Sequence, residues 1–240
     1  MSHILAVFPH PDDESFTCGG TLAKYAEQGI PVTLVCATNG ESGIRMGDPP
    51  FTTKKELPSV RKQELQKACE ILGVSECIFL HLPDKGIEKI EPELLTKVLI
   101  RIICTVKPSV MITCGPQGEF AYHPDHRSLG RCVTHAFCLS GNPEVIEKGY
   151  NPHKVSKLYY PVLSREYRQP EKVGAVLAQM TKIDITATWC KKVNALKAHL
   201  TQFQQEAWLW NEEAVKRKLP DWEGFIQYHK PYHNEENDFF

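Results

Sequence analysis

Short continuous apolar runs alternate with longer stretches of helical periodicity along most of the chain. Residues 4–8 (ILAVF) form the first run; Gly19-Gly20 and a helical pattern through Leu22, Ala23, Tyr25 and Ala26 follow, stopping at Gly29. Similar runs at 32–37, 77–80, 110–114 and 158–162 read as strands. Between them, periodic stretches at about 60–72 (ending at Gly73), about 92–106 (ended by Pro108) and about 125–138 read as helices. The Gly/Pro-rich stretch 39–53 and the Gly/Asn/Pro-rich stretch 140–154 read as loops, the second over one end of a sheet. Beyond 162 the pattern predicts helices over about 189–199 and 203–218 and a last strand over 224–229; the acidic-aromatic tail at 234–240 is expected to fray.

Strands that are apolar on every residue are buried on both faces, and their alternation with helices predicts a doubly wound, mostly parallel sheet flanked by helices. The expectation is therefore a Rossmann-like α/β fold. At 240 residues, with no internal repeat and no linker, the chain reads as one domain, 1–240.

Charge then narrows the partners. Lys and Arg number 28 against 29 Asp and Glu, with no run of five basic residues, so no nucleic-acid partner is expected. The apolar stretch 94–106 is interrupted by Lys97 and Arg101, so no membrane span is expected either. The opening MSHILAVFPHPDD has no basic region and reads as a strand rather than a secretory signal. Nine cysteines form an odd set without a C-x-x-C pair, which reads as reduced core thiols in a cytoplasmic protein and offers no thiolate zinc site.

The chemistry gathers behind the strands. In open α/β sheets ligands bind outside the carboxyl ends of parallel strands. The first four runs lead into Pro9-His10-Pro11-Asp12-Asp13-Glu14, Thr38-Asn39-Gly40-Glu41-Ser42-Gly43, His81-Leu82-Pro83-Asp84, and a loop ending in His123-Pro124-Asp125-His126. A parallel sheet would open all four on one edge, whereas polar residues that only solvate loops would fall on both.

His10 and Asp13, at H-x-x-D spacing, can converge on one ion from a turn stiffened by Pro11. A catalytic zinc site needs three protein ligands and an open position, so a third must come from another loop: His126, with His123 as the lesser alternative. Fe2+, Mn2+ or Co2+ would suit the same donors. Asp12 is then free to act as general base, and His123, oriented by Asp125, can stand near a developing oxyanion. Each cluster alone could be a helix cap, with Asp12 or Asp13 in the first and Asp125 in the second. Their joint occurrence behind two strands favours a site.

At these residues the chain resembles the LmbE-like, or PIG-L-type, family of zinc-dependent de-N-acetylases, which deacetylate N-acetylglucosamine (GlcNAc) joined to another group. The resemblance runs through PHPDDE, TNGESG, Arg61-Lys62-Gln63-Glu64, Asp84, HPDH and Ala198-His199-Leu200-Thr201-Gln202. It implies one Zn2+ per chain on His10, Asp13 and His126, Asp12 as general base, and His123, with Asp125 beside it, assisting the tetrahedral intermediate. It also implies that Arg61 and Asp84, with Glu41 and Ser42 of the second loop, line a sugar pocket.

Within the family the wording is most similar to bacillithiol-pathway enzymes acting on N-acetylglucosaminyl malate, where Arg61 and Arg45 would meet the malate carboxylates. Alternatives are a deacetylase of chitooligosaccharides or of another GlcNAc conjugate, or a non-catalytic sugar- or nucleotide-binding module. Many members carry Ala where this chain has Pro9; some carry Tyr where it has Ala121, next to Tyr122, which leaves a tyrosine role open. A small-molecule amino sugar is the expected partner, and a homo-oligomer is left open.

Overall fold

Ile4, Ala6 and Phe8 of the first strand pack into one hydrophobic cluster, Leu5 and Val7 into another, so β1 (Ile4–Phe8) is buried on both faces. The computed structural model describes residues 2–116, 123–162, 180–229 and 237–240. On one face, α1 (Asp13–Glu27) contributes Cys18, Leu22 and Tyr25, and α2 (Leu57–Leu72) contributes Leu65 and Cys69. Ala195 and Ala198 of α5 (Trp189–Ala198) pack against Ala23, Ala68 and Leu72 of those two helices. On the other face lie α3 (Pro92–Val106), with Leu99 and Ile103, and α4 (Pro124–Leu139), with Leu129 and Val133. Each large side chain buried in these layers stabilises the fold by about 1.5–3 kcal/mol.

β1 is hydrogen-bonded in parallel to β2 (Val32–Thr38) on one side and β4 (Val110–Thr113) on the other. β3 (Glu76–Leu82) continues the parallel sheet beyond β2, and β5 (Lys157–Val162) beyond β4. Two antiparallel strands complete it: β7 (Trp222–Gln227) against β5, and β6 (Met180–Asp184) at the edge, giving the order β3-β2-β1-β4-β5-β7-β6. The expected α/β, mostly parallel architecture is thus present. α2 ends as its sequence predicts: Gly73 adopts φ 76°, and Val74 N donates to Cys69 O while Gly73 N donates to Glu70 O.

Two expectations need correction, and one strand was not expected. The stretch 203–218 is not one helix but α6 (Leu200–Phe203), a 3-10 turn Ala207–Trp210 and α7 (Glu212–Lys218). Asn211 forces the break, because its Oδ1 caps α7 by accepting from Ala214 N. β6 carried no signal strong enough to predict it, since only Thr181 and Ile183 are buried on one side of a five-residue edge strand.

The tail does not fray over 237–240. Phe239 is 1% exposed and stacks on Tyr159 and Tyr25, and the Tyr25 hydroxyl donates to Asp238 while accepting from Phe239 N. The loop 140–154 lies at the amino ends of the strands, with His153 bonded to Ser140 O and, through Nε2, to Pro108 O just before β4; it cannot cover a site at the carboxyl ends.

Candidate active site

Two turns leave adjacent strands where the strand order reverses. β1 is followed in sequence by β2 on one side, while β4 lies on its other side, and the switch point between them is where α/β sheets open a crevice. His10, Asp12 and Asp13 come from the turn after β1; His123, Asp125 and His126 open α4 behind β4. Pro124 occupies the first turn of α4, and His123 caps it, Nδ1 accepting from Asp125 N at 3.2 Å. With Nδ1 accepting, the ring proton of His123 sits on Nε2.

His10 Nδ1 lies 3.1 Å from His126 Nε2 and 3.4 Å from Asp13 Oδ2, and His126 Nε2 lies 3.4 Å from the same oxygen. Asp13 is also fixed by His10 N, which donates to Oδ2 at 2.9 Å. A tetrahedral ion with ligands at about 2.0–2.2 Å keeps them roughly 3.3–3.6 Å apart, so the three atoms fit around one centre. Asp13 and His126 are buried, at 6% and 4% exposed, and His10 is partly exposed. His10, His123 and Asp125 form a second such group, but both Asp125 oxygens are engaged, accepting from Lys85 N at 2.7 Å and Ile87 N at 3.1 Å.

The second ring nitrogen of each histidine is also held. His10 Nε2 faces Asp84 Oδ1 at 3.3 Å and Asp125 Oδ2 at 3.4 Å; His126 Nδ1 meets Cys114 Sγ at 3.5 Å. Asp125, expected to orient His123, touches it through the main chain. Its backbone N–H meets His123, and its carboxylate serves His10.

Electrostatics follow the packing. Burial would lower the His10 imidazole, yet its bonds to Asp125, Asp13 and Asp84 hold it well above its usual value. Burial would raise Asp13, but His126 and His10 keep it below the usual carboxylate range. Asp84, against its own burial, is drawn down to about 2 by His10. Asp12 moves the other way: burial pushes it up to about 6, against the pull of the Arg61 guanidinium, whose NH2 is 3.3 Å from Oδ2.

The residues expected to line a sugar pocket are also bonded to the neighbouring loops. Arg61 is buried and donates to Pro11 O and, at 3.1 Å, to Gly40 O. Ser42 N donates to Asp84 Oδ2 and Ser42 Oγ to Asp84 O, while Glu41 Oε1 accepts from Asp84 N, tying the second and third loops together. Arg45 is paired with Glu206 and donates to Gln202 O. Ala121 and Tyr122 lie outside the described residues.

Three residues of the site went unrecognised in the sequence. Glu14 and His199 stand in motifs that carry the resemblance yet were assigned no task, and the two are bonded to each other; Cys114 ends the fourth apolar run like any core thiol. Only those motifs and the proximity of Glu14 to Asp12 carried a hint.

The family description "PIG-L: GlcNAc-PI de-N-acetylase" matches residues 5–137, and the chain belongs to that family. It is 36% identical over 200 residues, covering 83% of each chain, to a Bacillus subtilis protein named "Probable N-acetyl-alpha-D-glucosaminyl L-malate deacetylase 2". A Bacillus cereus protein of the same name is 33% identical over 231 residues, 94% of this chain and 97% of that one. Among solved structures, N,N'-diacetylchitobiose deacetylase from Pyrococcus horikoshii shares the fold, with a TM-score of 0.73 at 23% identity over 95% of this chain and 84% of that one.

Proposed function

We propose that the chain, as one domain spanning 1–240, removes the N-acetyl group from a GlcNAc conjugate, with N-acetylglucosaminyl malate as substrate and bacillithiol synthesis as its setting. The carrying observation is the set of 3.1, 3.4 and 3.4 Å separations among His10, Asp13 and His126, with Asp12 beside them. The names of the Bacillus relatives support the choice of substrate. Nine free cysteines support a reducing, cytoplasmic setting, and no helix among the described residues is long and apolar enough to cross a membrane.

In this reading His10, Asp13 and His126 hold one divalent cation, zinc first, with Fe2+, Mn2+ or Co2+ suited to the same donors. When bound, the cation supplies Lewis acidity that polarises the acetyl carbonyl and makes water acidic near pH 7. Asp12 takes the proton of the attacking water as its oxygen bonds to the carbonyl carbon. His123, with its proton on Nε2, donates to the developing oxyanion. The C–N bond then breaks, the proton on Asp12 passes to the nitrogen, and acetate and a free glucosamine amine leave. Asp84 and Asp125 keep the His10 proton on Nε2, which leaves Nδ1 as the donor to the cation. Asp84 and Arg61 form one wall of the sugar pocket, buttressed by Glu41 and Ser42.

Acetate release from N-acetylglucosaminyl malate, GlcNAc and chitobiose, before and after chelation, tests the proposal. The malate conjugate should be hydrolysed fastest, a chelator should abolish turnover, and added zinc should restore it. A protein holding one equivalent of metal that releases acetate from none of the three would sink it; faster release from chitobiose would replace the substrate and leave the chemistry.

A further inference from the structure

Asp12 adopts φ 113° and ψ −26°, a region that a non-glycine residue occupies only when its surroundings hold it there. Two backbone bonds do so. Its carbonyl accepts from Phe16 N at 3.0 Å, in the first turn of α1, and its N–H donates to Glu14 Oε2 at 3.0 Å. The second bond depends on a carboxylate that is itself 1% exposed.

Such a carboxylate needs partners of its own. The Glu14 Oε1 atom accepts from the Ser15 hydroxyl and meets His199 Nε2 at 2.9 Å. His199 is wholly buried at the junction of α5 and α6, and its Nδ1 has no hydrogen-bond partner among the described residues. Among the described residues, this imidazole is therefore hydrogen-bonded through Nε2 alone, to Glu14 and the adjacent Ser15, whose Oγ is 3.5 Å from Nε2. The chain of contacts runs from α5/α6 through Glu14 to the Asp12 amide, and Arg61 meets the Asp12 carboxylate from the other side.

We propose that His199 is a positioning residue for the deacetylation: by anchoring Glu14 it holds Asp12 in its strained backbone conformation, and so sets where the Asp12 carboxylate stands beside the His10/Asp13/His126 cluster. This rests on the reading of Asp12 as general base. His199 touches none of the proposed metal ligands, so its loss should leave the cation in place and misplace the base. A displaced catalytic group, or a lost outer partner, commonly costs about 10- to 100-fold in rate.

The test is a double-mutant cycle on the metal-loaded enzyme, read as kcat, KM and bound metal. His199→Leu fills the buried space without a donor and should lower kcat about 10- to 100-fold, with KM and metal content unchanged. His199→Gln, whose amide can present a donor toward Glu14, should recover most of that loss. In an Asp12→Ala background His199→Leu should cost nothing further, because both changes remove the same contribution. Should His199→Leu not fold, Glu14→Gln, which keeps the shape and loses the charge, takes its place in the cycle. Unchanged kcat in the single variant, loss of metal, or full additivity with Asp12→Ala overturns the proposal. Near-normal turnover by Asp12→Ala alone overturns instead the general-base reading, so the two failures are separable.

Discussion

His10 Nδ1 and His126 Nε2 stand 3.1 Å apart although 116 residues separate them in sequence. Two ring nitrogens this close cannot both carry protons, and Asp13 Oδ2 completes a triangle that suits a cation. His10→Ala and His126→Ala should each reduce bound metal from about one equivalent to a small fraction of that, and acetate release should fall with it. Elemental analysis of the purified variants, with thermal unfolding to confirm folding, checks this. Full metal content in either variant would assign the ion elsewhere.

Arg61 links the two loops on its side of the site. Arg61→Leu leaves the buried carbonyls of Pro11 and Gly40 without its donors, a loss of about 1–3 kcal/mol. The Tm should fall by roughly 2–12 °C for a chain of this size, and kcat should drop because Asp12 loses its ionic partner. An unchanged Tm would show that these contacts contribute nothing to the fold.

Phe239 belongs to the core. Phe239→Ala should cost about 3–5 kcal/mol in denaturant unfolding, as expected for an aromatic side chain removed from a packed stack. A loss within the scatter of surface substitutions would mean that the tail is not docked in solution.

Asp238 gives that docking a pH dependence. Its own burial would raise its carboxyl, but the Tyr25 hydroxyl and the amides of Phe240 and Phe239 hold it below its ordinary value. A group with a depressed folded-state pKa adds stability above its unfolded value of about 3.9, and that stability is lost as pH falls through the folded value. The stability gap between wild type and Asp238→Asn should therefore be present at neutral pH and close on acidification below about pH 4. A gap that widens in acid would reverse the sign.

Much of this arrangement was legible along the chain because its signals are local. Ile4–Phe8 and Val32–Thr38 are apolar at nearly every position, and the His10/Asp13 and His123/Asp125/His126 spacings sit directly behind such runs or at a helix start. What was not legible depends on partners distant in sequence. Glu14 and His199 are 185 residues apart, and only folding shows that the latter bonds to the former. Phe239 sits in an acidic context that reads as solvated until Tyr159 and Tyr25 are seen against it. β6 pairs antiparallel at the sheet edge with only two buried side chains, too little periodicity to stand out. The task of the Asp125 carboxylate was not legible for a similar reason, since its partners Lys85 N and Ile87 N lie beyond a different strand.

The central claim is that Asp12 moves the proton while His10, Asp13 and His126 hold the cation. Measuring kcat and bound zinc together in Asp12→Asn tests it most directly. The expected result is a full equivalent of zinc with kcat reduced by about 10²- to 10⁴-fold, the range for losing a general acid–base group. Near-normal turnover, or loss of the zinc, would contradict it.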